Sequence, residues 1–140
     1  MGIKPILLIL TMISALILGM GMTTTSVYIV LSVIVAPALT RMGVAPLAAH
    51  LFVFYFGILS AITPPVATAS YAAASLTKSS PTELGFEGWR LGIAGYIIPF
   101  MFIYSPTLLM EGTVLGIVRS IITAIIGVYA LSASIEGYLY

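Results

Sequence analysis

The sequence predicts an all-α integral membrane protein made of a re-entrant helical hairpin, a discontinuous transmembrane helix and two further transmembrane helices. Hydrophobic residues make up 61% of the chain and charged residues 6%, where a soluble domain carries roughly one quarter charged. Residues 5–40 and 42–77 hold no Lys, Arg, Asp or Glu, and the imidazole of His50 is read as neutral. Each stretch is nevertheless interrupted, the first by GMGMTTTS and the second by TPP. The charge-free length implies a bilayer, and the interruptions imply broken helices.

The hairpin follows from length. One straight helix through residues 5–40 would run about 54 Å at 1.5 Å per residue, far beyond the roughly 30 Å of hydrocarbon in a bilayer. Dividing it around Gly19–Ser26 leaves two arms of about 14 residues, each about 21 Å long, too short for a full crossing. A re-entrant hairpin over about 5–40 is the expectation. The opening MGIKPILLILTMISALILGMG has the charge and apolar run of a secretory signal, but the run continues without a clean small-x-small cleavage pattern, so it is read as membrane structure.

The discontinuous helix is expected over about 46–77. Pro64 and Pro65 remove two consecutive backbone donors and their rings clash with the preceding turn, so the helix should unwind near Thr63. Its second half, VATASYAAAS, is small-sided, as where helices approach closely. Together the hairpin and broken helix form a unit over 1–77. Residues 78–90, KSSPTELGFEGWR, contain Lys78, Glu83, Glu87 and Arg90. They are read as a polar loop or interfacial segment, with Trp89 as an interface anchor. Residues 91–140 supply two trailing helices, one over 91–110 bent near Pro99 and one over 112–135 containing Arg119. Lys4 and Arg41 balance Lys78 and Arg90 across the membrane, so charge sets no orientation.

Composition removes several function classes. A net charge of +1 with scattered basic residues gives no footprint for nucleic acid. Cysteine and aspartate are absent, there is one histidine, and the four glutamates lie at loops or helix ends. Neither an intramembrane acid pair nor a transition-metal cluster can be assembled from that set, and the chain is not read as an enzyme.

Two stretches carry candidate chemistry, each with a purely structural alternative. In GMGMTTTS, glycines permit positive φ and Thr23–Ser26 offer oxygen ligands to a hard cation; the same hydroxyls can instead cap the returning arm. In AITPPVATAS, breaking a membrane helix frees carbonyls that suit a cation and amides that suit an anionic group; the alternative is a kink. His50 is read as an interfacial or hydrogen-bonded residue rather than a proton carrier. Arg119 is read as snorkelling rather than pairing with Glu111 or Glu136. The GxxxG spacings at Gly88–Gly92 and Gly112–Gly116 are packing signals.

GMGMTTTSVYIVLSVIVAPALTRMGVAPLAAHLFVFYFGILSAITPPVATASYAAA resembles the closing part of the second repeat of the large membrane subunit of tripartite ATP-independent periplasmic (TRAP) transporters of the fused-permease type, over about residues 10–110. The resemblance implies the C-terminal portion of such a permease: half of an inverted-repeat elevator transporter in a bacterial or archaeal cytoplasmic (inner) membrane, multi-pass. It implies uptake of a small organic acid driven by sodium or protons, with no other cofactor. The implied partners are a periplasmic substrate-binding protein, the remaining permease portion with the first repeat and small subunit, and the lipid bilayer. By the same resemblance Gly19, Gly21, Thr24 and Thr25 belong to the hairpin tip, and Thr63, Pro64, Pro65 and Val66 to the helix break, where sodium would bind. Fused members often carry proline where Thr23 stands, so a less rigid tip is expected. The competing class is a small structural or assembly membrane protein whose glycines and prolines serve packing alone.

Overall fold

The computed structural model describes residues 3–137; residues 1–2 and 138–140, at the outer ends of the 1–77 and 91–140 units, lie outside the described residues. Regular structure among the described residues is entirely helical. In chain order it comprises α1 (Ile3–Gly19), α2 (Thr24–Ile34), α3 (Ala36–Arg41), α4 (Pro46–Leu59), α5 (Thr68–Thr77), α6 (Pro81–Leu91), α7 (Ile93–Tyr104) and α8 (Val114–Glu136). Short 3-10 turns follow α4 at Ser60–Ile62 and α7 at Pro106–Leu109.

The first two arms lie along α4. Leu8 near the start of α1 and Leu39 in α3 line one cavity of about 220 Å³ with Ala45 and Ala48 at the start of α4. At the other end, Gly19 approaches the Gly57 carbonyl of α4, and Val27 in the first turn of α2 touches Gly57 itself. α1 therefore runs parallel to α4 and α2–α3 antiparallel to it, which makes them the arms of a helical hairpin. α2 and α3 are one bent rod. Pro37 has no N–H to offer the preceding turn, and the ladder passes from the Val35 N–H on Leu31 to the Ala38 N–H on Val35, at 2.9 and 3.1 Å.

Both arms exceed the 14 residues expected from sequence. α1 has 17 residues and the rod Thr24–Arg41 has 18, about 26 and 27 Å at the helical rise. Thr24 and Thr25, which the resemblance places at the tip, form the first turn of α2. Thr23 is the cause, because its hydroxyl accepts from the Ser26 N–H at 3.3 Å and starts the helix one residue later. By length and composition Thr24–Arg41 and α8 are both able to cross a membrane.

α4 is the centre of the molecule. Pro46 occupies its first turn, where a missing N–H costs nothing. Ala48, Ala49, Phe52, Val53, Phe56 and Gly57 are buried on it, at the three- and four-residue spacing of one broad helix face. α7 covers the side that the hairpin leaves open. Phe100 meets Phe52 and Phe56 with ring centroids 5.1 and 5.9 Å apart, and both pairs are edge-on, as the ring quadrupoles prefer.

After α4 the helix breaks. Ser60–Ile62 tightens into a 3-10 turn, Pro64–Pro65 is a cis peptide, and α5 starts at Thr68. The interruption falls where two prolines lack donors. Beyond α5, residues 81–91 of the polar 78–90 segment and its continuation form a helix. Pro81 opens α6, Glu83 lies in its first turn and Arg90 in its last, each sign matching the nearby end of the helix dipole. α6 lies on α5 through glycines. A Cβ on Gly85 would come 3.1 Å from Tyr71, and one on Gly88 2.6 Å from the Ser70 hydroxyl.

Residues 91–110 do not make one continuous helix. Pro99 is accommodated and buried inside α7, whereas Pro106 drives Ser105 to φ −134° and ends the helix at Tyr104. α8 then runs 23 residues without a single buried one, about 35 Å by its rise. A hydroxyl chain ties its first turns to the preceding segment: Ser105 to Thr107 at 3.0 Å and Thr107 to Ser120 at 2.6 Å. Ile125 and Ile126 on α8, like Ile17, Val33 and Ile34 on the hairpin, are open to the surroundings. So large an apolar exterior suits hydrocarbon rather than water.

Candidate functional site at the hairpin tip and the helix break

The tip is shaped by what each residue can avoid. Gly21 sits at φ +80° with open space around it, a conformation that side-chain-bearing residues resist. Gly19 is buried for a different reason. A Cβ there would strike the Ser60 hydroxyl, lie 2.8 Å from Ser60 Cβ and 3.1 Å from the Gly57 carbonyl. Only a bare backbone lets the end of α1 lie against the end of α4. Thr24 and Thr25, by contrast, are exposed in the first turn of α2, and among the described residues neither hydrogen-bonds to the break.

The break is held from three sides. The Thr63 hydroxyl donates to the Leu59 carbonyl at 2.6 Å and is bonded to the Tyr96 hydroxyl of α7. The Pro65 carbonyl accepts from the Tyr71 hydroxyl of α5, and the Thr63 carbonyl from the Ala67 N–H at 3.0 Å. Pro64 and Val66 are half-buried and Pro65 is exposed. Ala67, fully buried, takes the left-handed conformation with φ 34°, which costs a residue with a Cβ about 1–2 kcal/mol. α5 begins from it without a side-chain cap, so its first amides are free to meet an acceptor.

Of the residues singled out from sequence, Gly19 is brought against the break, through Ser60. Thr63, Pro64, Pro65 and Val66 form the break itself. Gly21, Thr24 and Thr25 are exposed, and among the described residues no hydrogen bond joins Thr24 or Thr25 to the break. Sequence reasoning did not find Tyr71 or Tyr96, and it set Gly57 and Ser60 only on the approach to the break. Ser60 bonds back to the Gly57 carbonyl at 2.6 Å and forms the floor on which Gly19 rests. Tyr96 lies 33 residues from Thr63, and no local spacing pairs them. His50 is hydrogen-bonded, its Nδ1 3.1 Å from the Tyr28 hydroxyl. Arg90 lies 3.7 Å from Glu87, an exposed pair worth little by itself.

Residues 1–117 match the family model described as tripartite ATP-independent periplasmic transporter, DctM component, more than four fifths of the 140-residue chain. The chain belongs to this family. Comparison with curated proteins and with solved structures gave no match. A DctM-family chain is a membrane component of a TRAP transporter, and the family is one of transporters rather than enzymes. The matched span takes in the hairpin, the break, α5, α6 and α7, and ends in the first turn of α8.

Proposed function

We propose that this DctM-family chain contributes one half of an ion- and substrate-binding site in a secondary active transporter. Its hairpin is re-entrant, its broken helix is the hairpin's partner, and the two move together as part of an elevator. The remaining permease portion supplies the opposing repeat and the small subunit. A periplasmic substrate-binding protein delivers a small organic acid, and an inward ion gradient, sodium or proton, drives uptake across the bacterial or archaeal inner membrane. Residues 78–90 form an interfacial segment between this moving unit and the scaffold helices of 91–140.

One observation carries the reading. The end of α1 rests on Ser60, three residues before Thr63, with so little space that only glycine fits at position 19. A hairpin end seated beside a helix break fits the general pattern of inverted-repeat transporter sites, in which the ends of a discontinuous helix meet the ligand. The left-handed Ala67 supports it, because strain of that kind is kept where a site needs an unusual backbone.

The complete transporter assembly containing this chain, reconstituted in vesicles, tests the proposal. Uptake of a small organic acid should depend on the ion gradient, and Thr25→Ala and Thr63→Ala should each raise the half-saturating ion concentration by about three- to tenfold, as loss of one oxygen ligand or hydrogen bond would. Ion dependence unchanged in both variants would remove the roles given to Thr25 and Thr63. Uptake insensitive to any ion gradient would remove the coupling itself.

A further inference from the structure

We infer that Tyr96 of α7 is a positioning residue for the Thr63 end of the break, setting the orientation in which the Thr63 hydroxyl meets a coupling cation. The inference rests on the ion-site reading above and adds a residue that the tip and the break do not contain.

Proton counting carries the argument. A threonine hydroxyl has one proton and two lone pairs. The Thr63 proton goes to the Leu59 carbonyl, so in the contact between Thr63 and Tyr96 the phenol is the donor. One lone pair of Thr63 Oγ1 is then occupied by Tyr96 and one is left for a cation. The rotamer is fixed at both ends, by the last turn of α4 and by a helix on its far side. The phenol ring is partly buried against the core, its centroid 6.1 Å from that of the fully buried Phe56. Gly95, next to it, lets α7 approach closely, since a Cβ there would come 3.2 Å from Leu59. Tyr71 performs the matching task at the other end, where its hydroxyl holds the Pro65 carbonyl. The break therefore hangs between two phenols from two different helices, and of these only Tyr96 touches a side-chain ligand.

Reconstituted assembly, with uptake titrated against sodium at saturating substrate, separates positioning from packing. Tyr96→Phe, which keeps the ring and removes the hydroxyl, is expected to raise the half-saturating sodium concentration about three- to tenfold while leaving the maximal rate near that of the parent. Thr63→Val is expected to shift it at least as far, Thr63→Ser to stay near the parent, and the double variant Tyr96→Phe/Thr63→Val to go no further than Thr63→Val. Unchanged half-saturation in Tyr96→Phe beside a shifted Thr63→Val overturns the role of Tyr96 and leaves the ion site standing. A lower maximal rate with no shift in half-saturation assigns the phenol to packing and overturns the inference. A parent indifferent to sodium, or no shift in either single variant, overturns the ion-site reading and the inference with it.

Discussion

α4 and α8 are both apolar helices of one chain, yet they use their side chains in opposite ways. On α4 Phe52, Val53 and Phe56 are completely enclosed by the hairpin and α7. On α8 no residue is buried, and Ile125 and Ile126 stand more than 60% exposed. Hydrophobicity alone does not distinguish them. What distinguishes them is fit, since α4 sets Phe52 and Phe56 against rings of α7 and flanks them with Ala48, Ala49 and Gly57, where the hairpin packs closely, whereas α8 presents Ile122, Ile125 and Ile126 outward. In a bilayer, where lipid tails are as apolar as leucine, close fit rather than hydrophobicity holds helices together. α4 is where this chain has that fit.

The sharpest way to break the comparison is to truncate one large side chain in each helix. Phe56→Ala should cost about 3–5 kcal/mol, the range for deleting a buried aromatic, because Phe52, Tyr96 and Phe100 would all lose a ring neighbour. Ile126→Ala on α8 should stay within about 0.5 kcal/mol, as for surface substitutions with no buried partner. Reversible unfolding in mixed micelles measures both. Equal losses would show that α8 is covered as thoroughly as α4 and that the contrast is false.

The sequence made some of this legible and hid the rest for physical reasons. Lack of charge and the length of 5–40 and 42–77 were enough to require turns, and the two prolines located the second. The second hairpin arm is longer than expected because one capping hydroxyl, Thr23, recruits the polar residues after it into the helix. Thr23 does act as a cap: its oxygen accepts from the Ser26 amide. Tyr96, and the contact of Ser60 with Gly19, stayed hidden because the partners lie on other helices. Ser60 matters through the glycine it meets, and a glycine reports only that space is short, not what fills it. α7 was read as longer than it is, since Pro99 drew attention while Pro106, which actually ends it, lay close to the segment boundary.

A smaller effect tests the closeness of the tip to the break. Gly19→Ala pushes a methyl group into Ser60 and the Gly57 carbonyl, and overpacking of this kind costs about 1–3 kcal/mol. Ser60→Gly in the same chain should recover part of the loss by removing the opposing Cβ. The matching change on α8, Gly127→Ala, meets nothing within 4 Å and should stabilise by up to about 1 kcal/mol, the difference in helix propensity. Opposite signs at two helical glycines, read from the same unfolding measurement, would follow from packing alone. The same sign at both would mean that the Gly19 contact is not tight.

The smallest contrast uses identical chemistry in the two regions. Thr23 caps α2 and Thr113 caps α8, each accepting from an amide three residues on, those of Ser26 and Gly116, at 3.3 Å. Replacing either by alanine should cost about 1 kcal/mol of cap, but the consequences should spread differently. α2 is pinned along α4 by Val27 and Leu31, both buried, so Thr23→Ala should speed amide exchange at Thr24–Ser26 and leave the remainder of the helix protected. α8 has no buried residue to stop the fraying, and the Thr107–Ser120 bond is its nearest anchor. Thr113→Ala should therefore open amides as far as Ser120 before protection returns. Hydrogen exchange in lipid nanodiscs resolves the two patterns, and a fraying front that halts before Ser120 would show that α8 is gripped more tightly at its base than its hydroxyl chain can account for.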